Sequence, residues 1–304
     1  MSRIARVAAQ AKVNLLLRVL AREDSGYHGI ETIFLRLSLA DDVVVRVGED
    51  IRGRSLDCDG DAIPEGGLGP AEDNLAYRAA CAYGDATGWP STFAIEVTKK
   101  IATGAGLGGG SADAGAVLRA LDAMSPSPLG KRLAELAPSL GSDVAFMTID
   151  SPMALAWGRG ERLLPLPALA SRPIVLVMPP FSVATKDAYT WLAHDRGTYE
   201  ARGVLLQPTE LDTWENIAAI ATNDFEAVVG RRHPEIVAYA EALRGAGALP
   251  AMMSGSGSAV FGVFAEPERA ITGMMAAAQA SPETPSRGLV VWTAPRVERV
   301  TVET

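Results

Sequence analysis

The segment Gly104-Ala-Gly-Leu-Gly-Gly-Gly-Ser-Ala-Asp113 carries the clearest chemistry in this sequence. Six of its first eight residues are Gly or Ser, and an apolar-periodic run follows at once. Such a loop can approach an anion closely and turn several backbone N–H groups toward it. A helix N-terminus behind the loop adds partial positive charge. That is the chemistry of phosphate binding. A second Gly-Ser loop, Met253-Ser-Gly-Ser-Gly257, feeds an apolar run far downstream. Two such loops in one chain argue against a merely tight turn that happens to be rich in glycine.

Phosphate loops differ in what they demand. A Walker A loop needs Gly-Lys-Ser/Thr at its end, and here Gly110 runs straight into Ser111. A dinucleotide fingerprint is formally present in Gly104, Gly106 and Gly109, with Asp122 near the offset of a ribose contact. That fingerprint follows the first buried parallel strand of a βαβ unit. Thr92–Thr98 instead alternates, with Phe93, Ile95 and Val97 on one face, as a half-exposed strand does. Asp122 also falls inside the expected helix. A protein-kinase glycine loop needs Val-Ala-Ile-Lys, His-Arg-Asp and Asp-Phe-Gly, none of which occurs.

The elements that must hold these loops follow from periodicity. The first hundred residues read mainly as strands, with β-rich runs at Leu15–Leu20, Asp42–Val47 and 92–98. Residues 48–72 read as hairpin and loop, and Asn74–Tyr83 as a helix. Helical spacing begins at Ser111, a natural N-cap, with Val117, Ala120, Leu121 and Met124 on one face and Ser125-Pro-Ser-Pro128 as the stop. A helix from about Leu129 to Ala137 is expected to stop at Pro138. Gly141-Ser-Asp-Val144 reads as a turn, and Ala154–Trp157 as a strand leaving through Gly158–Gly160. Ile174–Met178 reads as a buried strand that opens a second domain. Helices are expected near 186–194, 214–229 and 234–246, and a last strand at Leu289–Trp292.

Composition sets the frame. The chain has 304 residues, 48% apolar and 21% charged, enough for two domains. A net charge of −8 argues against nucleic acid, which demands a basic footprint. It leaves room for a small anionic ligand met by a few local cations. Cys58 and Cys81 make neither a disulfide framework nor a zinc cluster, and read as reduced thiols of a cytoplasmic protein. No signal peptide is read at the N-terminus, and no run of about 18 apolar residues would span a membrane.

Ala11-Lys-Val-Asn-Leu15, the glycine loop and Met253–Gly257, in that order, resemble the three motifs of the GHMP small-molecule kinases. Gly26-Tyr27-His28 with Glu31-Thr-Ile-Phe34 is similar to the signature of the members that phosphorylate a CDP-linked polyol in non-mevalonate isoprenoid synthesis. The motifs spread from Ala11 to Phe261. Two positions depart from the pattern: Ala102 and Ser258 stand where a Pro is usual or common. The resemblance implies an α/β (α+β) fold in two domains. An N-terminal ATP-binding domain would cover 1–160 and a C-terminal domain 161–304, with the active site in the cleft between. It implies ATP and Mg²⁺, a CDP-linked polyol as the small-molecule partner, and no role for nucleic acid or membrane. A different GHMP kinase, of the mevalonate, phosphomevalonate or homoserine type, is the alternative.

Residue roles follow from the same resemblance. Gly104, Gly106, Leu107, Gly108, Gly109, Gly110 and Ser111 would hold the ATP phosphates. The Ser111 hydroxyl either reaches a phosphate or Mg²⁺ or simply caps the helix. Asp143 is the candidate base for the polyol hydroxyl, its alternative being an ordinary helix N-cap. Lys12 would sit beside Asp143 and keep it ionised. It lies in an apolar stretch where a free ammonium would be unfavourable. Asn14, two residues on, shares its strand face and can bond the same substrate group. Tyr27 and His28 would read the cytosine face and edge, with Tyr189 as a second aromatic and Thr185 as a polar contact. His28 is otherwise a plain surface histidine, and Tyr189 otherwise helix core. Asn74 and Lys99 match positions lining the adenine pocket. Ser254 and Gly255 belong to a loop that would close over the phosphates. Asn223-Asp-Phe-Glu226 recurs in the family and reads here as a structural helix cap and core.

Overall fold

The computed structural model describes residues 2–22, 28–196 and 207–303. Its elements run β1 (Arg3–Arg22), β2 (His28–Val47), β3 (Arg54–Asp59), α1 (Leu75–Thr87), β4 (Phe93–Thr98), α2 (Gly109–Met124), α3 (Val144–Thr148), β5 (Met153–Gly158) and β6 (Arg162–Leu166). After these come β7 (Pro173–Met178), α4 (Thr185–Arg196), α5 (Trp214–Ile220), β8 (Thr222–Asn223), α6 (Glu226–Gly230) and α7 (Pro234–Gly245). The chain ends in β9 (Ala251–Met253), β10 (Val260–Val263), α8 (Pro267–Ala280), β11 (Arg287–Trp292) and β12 (Thr301–Glu303).

Two sheets organise these elements. The first runs β12-β1-β2-β4-β3, with β5 on the far half of β2, β6 on β5, and β8 on β1. Its spine is the antiparallel pairing of β1 with β2, two strands of 20 residues each. They are long enough to serve both halves of the molecule. β2 meets β4 through Asp42–Arg46 and β5 through Ile30–Leu35. The second sheet is antiparallel, in the order β11-β7-β10-β9.

The alternation of side chains across a strand divides the core between the sheets. Every residue of β7 is buried. Ile174, Leu176 and Met178 pack into the core shared with the first sheet and α1–α3. Val175 and Val177 join the core formed with α4, α6, α7 and α8. A strand covered on both faces reads as a continuous apolar run, which is why Ile174–Met178 stood out.

Several boundaries differ from expectation. α2 starts at Gly109 rather than Ser111, with Gly108 as N-cap at φ +73°. Ser111 lies inside the first turn and its side chain makes no cap. Gly130–Ser139 is 3-10 helix with Pro138 inside it rather than an α-helix ending there. A strand, β3, lies within 48–72 and pairs in parallel with β4 at the sheet edge. The expected helix over 214–229 is two helices split by β8, which pairs with β1. That pairing is a tertiary contact, so no local period announces it.

Arg36 on β2 holds α3 in place. It is 1% exposed, and its guanidinium donates to the carbonyls of Phe146 (2.7 Å), Ile149 (3.2 Å) and Ser151 (3.2 Å). It also lies 4.7 Å from the centre of the Phe146 ring. Burial, and then the Arg119 charge, pull its pKa down to about 9, so it stays cationic at neutral pH. These carbonyls end α3, whose other end carries Asp143. Arg36→Met strands all three acceptors. It should lower unfolding stability by at least about 2 kcal/mol, measurable by urea denaturation.

Candidate active site

The glycine loop runs between β1 and the second Gly-Ser loop. Lys12 N donates to Leu107 O (3.0 Å) and Ala259 N donates to Ala105 O (3.0 Å). Between them, Gly106 O accepts the Lys12 ammonium (3.1 Å) and the Ser254 hydroxyl (2.9 Å). The carbonyls of Ala105, Gly106 and Leu107 are thus spent on the protein. The first-turn N–H groups of α2, at Gly109, Gly110 and Ser111, have no intrahelical acceptor. Glycine is required at two positions. A Cβ on Gly106 (φ +79°) would lie 2.2 Å from Ser254 O, and one on Gly108 would lie 3.0 Å from the Lys12 side chain.

Lys12 and Asn14 share one face of β1, as period 2 demands. The Lys12 ammonium, 3% exposed, donates to Asn14 Oδ1 (2.8 Å) and pairs with Asp143 Oδ2 (3.1 Å). Asn14 Nδ2 donates to Thr32 Oγ1 (2.8 Å), whose hydroxyl donates to Leu16 O (2.6 Å). Every member of this chain has its partner, which fixes the Lys12 rotamer. Asp143 precedes α3 but makes no cap hydrogen bond. Its carboxylate turns to Lys12 instead and stays 28% exposed. The N-cap alternative therefore does not describe it.

These groups line one cavity of about 410 Å³, together with Gly104, Gly106, Gly108–Ser111, Thr185, Tyr189 and Gly255. His28, which does not line the cavity, stacks on Tyr189, which does, ring centres 5.0 Å apart. The Tyr189 phenol is pushed up to about 12 by burial and then by the Asp143 charge, so it is neutral and near that carboxylate. Thr185 Oγ1 lies 3.0 Å from Ser256 Oγ, joining α4 to the second loop. Tyr27 lies outside the described residues.

Four expected residues sit elsewhere. Ser254 is fully buried and ties the two loops, and it is Gly255 and Ser256 that line the cavity. Leu107 contributes its carbonyl from within the core. Asn74 is occupied as N-cap of α1, its side chain accepting from Ala76 N (2.9 Å), while the next residue, Leu75, reaches the cavity. Lys99 does not line it. Its ammonium is buried between Asp41 and Asp113, beneath the start of α2, where a Cβ on Gly109 would lie 3.4 Å from it. Phe225 and Ser256 line the cavity and escaped the sequence reading. Phe225 read as core, and Ser256 carried only its place in the second loop.

The Asp41–Lys99–Asp113 group ties the two ends of the glycine loop. Asp41 Oδ1 accepts from Lys100 N and Ile101 N just before the loop. Asp113, in α2, takes Lys99 Nζ at 2.5 Å. Burial opposes the Lys99 charge, but Asp113 and Asp41 outweigh it and raise its pKa. Burial, against the pull of Lys99, pushes Asp113 up to about 7, with the Asp41 carboxylate adding to the rise. Its Oδ1 is buried without a partner.

A glycine loop, a buried ion pair and a stack of aromatic rings meet on this two-sheet frame. Models described as "GHMP kinases N terminal domain" and "GHMP kinases C terminal" match residues 74–153 and 207–277. A protein of Moorella thermoacetica named 4-diphosphocytidyl-2-C-methyl-D-erythritol kinase is 41% identical over 270 residues, 86% of this chain and 90% of that one. One of the same name from Solidesulfovibrio magneticus is 40% identical over 267 residues, 83% and 86% of the two chains. A crystal structure of 4-(cytidine 5'-diphospho)-2C-methyl-D-erythritol kinase superposes with TM-score 0.72 at 36% identity, covering 95% of this chain and 99% of that one. The chain belongs to the GHMP kinases and, within them, to the 4-diphosphocytidyl-2-C-methyl-D-erythritol kinase family.

A folded pKa of Asp113 above its unfolded value means the native state holds a proton that the unfolded chain releases. Stability from this group is then present at low pH and lost as pH rises from about 4 to about 7, with no further loss above. Compared with Asp113→Asn, the wild type should lose Tm across that interval and run parallel beyond it. Thermal melts from pH 5 to pH 8 would show this. A constant difference would mean that Asp113 is ionised throughout.

Proposed function

We infer that the chain transfers the γ-phosphoryl group of ATP to a hydroxyl of 4-diphosphocytidyl-2-C-methyl-D-erythritol. The observation that carries the reading is the Lys12–Asp143 pair facing the N-terminus of α2 across one cavity. The relatives' name supplies the substrate. Phosphoryl transfer needs in-line positioning and neutralised charge more than covalent chemistry from the protein. The N–H groups of Gly109, Gly110 and Ser111 supply donors for the phosphates. Leu75, Ala102 and Thr103, which line the same cavity, form the wall for adenine in place of Asn74 and Lys99.

Asp143 accepts the proton of the attacking hydroxyl as the new O–P bond forms and ADP departs. Lys12, 3.1 Å from that carboxylate, lends its charge to the attacking oxygen. Asn14 orients Lys12. Tyr189 and His28 offer ring faces for the cytosine, with Thr185 beside them. Among the described residues no three His, Cys, Asp or Glu side chains gather into a metal site. Mg²⁺ would be held mainly by phosphate oxygens and water, with the Ser111 hydroxyl on the cavity as a protein oxygen within its reach. Mg²⁺ would neutralise charge on the transferring group. No helix among the described residues could cross a membrane. The reading places the enzyme in the cytoplasm, where the free thiols of Cys58 and Cys81 stay reduced.

Wild type should turn over ATP with the CDP-linked polyol, and Asp143→Ala should lose at least about 100-fold in kcat. Near-normal turnover by the variant would remove Asp143 as base. Tyr189→Leu should raise KM for the polyol and leave KM for ATP near wild type, as read by steady-state kinetics. An equal rise in both would place Tyr189 outside the cytosine wall.

A further inference from the structure

The segment Asn223-Asp224-Phe225-Glu226 makes more contacts than a helix cap needs. It follows directly on the parallel pairing of Leu16 with Thr222 and Leu17 with Asn223. Asp224 N donates to Leu17 O (2.9 Å), and Asp224 Oδ2 accepts from Val19 N (2.7 Å). This stitches it to β1 just beyond Lys12 and Asn14.

The other three side chains point elsewhere. The Asn223 amide, buried, spends both its hydrogens on the second loop: Nδ2 donates to Met253 O and to Gly255 O, each at 2.8 Å. Its Oδ1 accepts from Phe225 N (2.9 Å). Glu226 Oε2 accepts from Met253 N (2.8 Å), and its other oxygen pairs with Arg244 (3.1 Å). Met253 is therefore gripped at both its N–H and its carbonyl. Phe225 is 2% exposed, lines the cavity, and sets its ring edge against Tyr189 at 4.9 Å and 83°.

We propose that these four residues are the positioning element of the active site, Asn223 and Glu226 setting the second Gly-Ser loop, Asp224 setting β1, and Phe225 setting Tyr189. The proposal rests on the kinase reading for its catalytic consequence and on geometry alone for its structural one. A shift of residues 253–255 moves the Ser254 hydroxyl, hence Gly106 O, hence the acceptor of the Lys12 ammonium. One short segment thereby reaches the base pair, both loops and the aromatic wall. An amide is needed at 223 because two carbonyls must be met by two donors from one side chain.

Asn223→Asp is the discriminating variant: it keeps shape and the acceptor for Phe225 N, but turns a carboxylate onto two carbonyls. Asn223→Ser, which loses the donors' reach without burying a charge, is read in parallel. The direct readout is amide hydrogen exchange of the full chain. Ser254 and Gly257 N–H are hydrogen-bonded within the loop and Ala259 N–H to Ala105 O of the glycine loop; all three should exchange at least about 10-fold faster in both variants, with β1–β2 amides unchanged. The kinetic readout is a fall in kcat of about 10- to 100-fold, as for a misplaced reacting group. Phe225→Leu should leave loop exchange alone and raise polyol KM about 2- to 10-fold, the worth of one aromatic pair. Wild-type exchange across residues 253–259 in both Asn223 variants would overturn the proposal. So would a lowered Tm with kcat and both KM values intact, because packing alone would do that. If the wild type itself phosphorylates no CDP-linked polyol, the proposed function falls, and the exchange result still decides the role of Asn223.

Discussion

A buried ammonium has to be surrounded by oxygen, and that requirement organises the site. Lys12 is almost wholly excluded from water, so its charge is tolerable only with acceptors close on several sides. It takes one from its own strand, Asn14; one from the glycine loop, Gly106 O; and one from the start of α3, Asp143. Three segments far apart in sequence are thereby drawn to one nitrogen. Gly108 must lack a side chain for the same reason, because a Cβ would press on the Lys12 stem.

The frame answers to this point. β1 and β2 are long enough to serve two lobes, so Lys12 and Asn14 stand near the middle of a strand held along its length by β2. Arg36, on β2 opposite Lys12, anchors the far end of α3 and so the helix that Asp143 leads. Asp41, also on β2, holds the glycine loop's entry through Lys100 and Ile101 and its exit through Lys99 and Asp113. One strand thus carries two buried polar anchors, one for the helix that Asp143 leads and one for the glycine loop.

Much of this was legible from residue types and spacing. The glycine loop announced itself, because backbone that must pass through positive φ and approach other backbone closely selects glycine strongly. The alternation in 92–98 already spoke against a doubly buried parallel strand, and the burial of β4 alternates, with β2 antiparallel on one side and β3 parallel on the other. Lys12 stood out as a charge in an apolar run. Partner choice was less legible. Lys99 looked like an adenine contact and lies between two carboxylates. Ser111 looked like an N-cap and is the third residue of the helix. Asn223–Glu226 looked like ordinary cap and core. For two of the three the deciding partner comes from a distant segment: Asp41 for Lys99, Met253 and Tyr189 for the tetrapeptide; for Ser111 it is the local turn at Gly108.

What the sequence by itself determined is the set of local geometries and the family they resemble: a loop able to cradle phosphate, strands of the right period, a cation and a carboxylate with no apolar alternative. Tertiary structure alone decided which polar groups are spent on one another and which remain for a ligand. Hydrogen-bond capacity is finite, and once Asn74, Lys99 and Ser254 have their partners inside the protein they are no longer free to face the cavity. That allocation depends on which distant backbone carbonyls and carboxylates arrive within 3 Å or so, and no single segment of the chain records it.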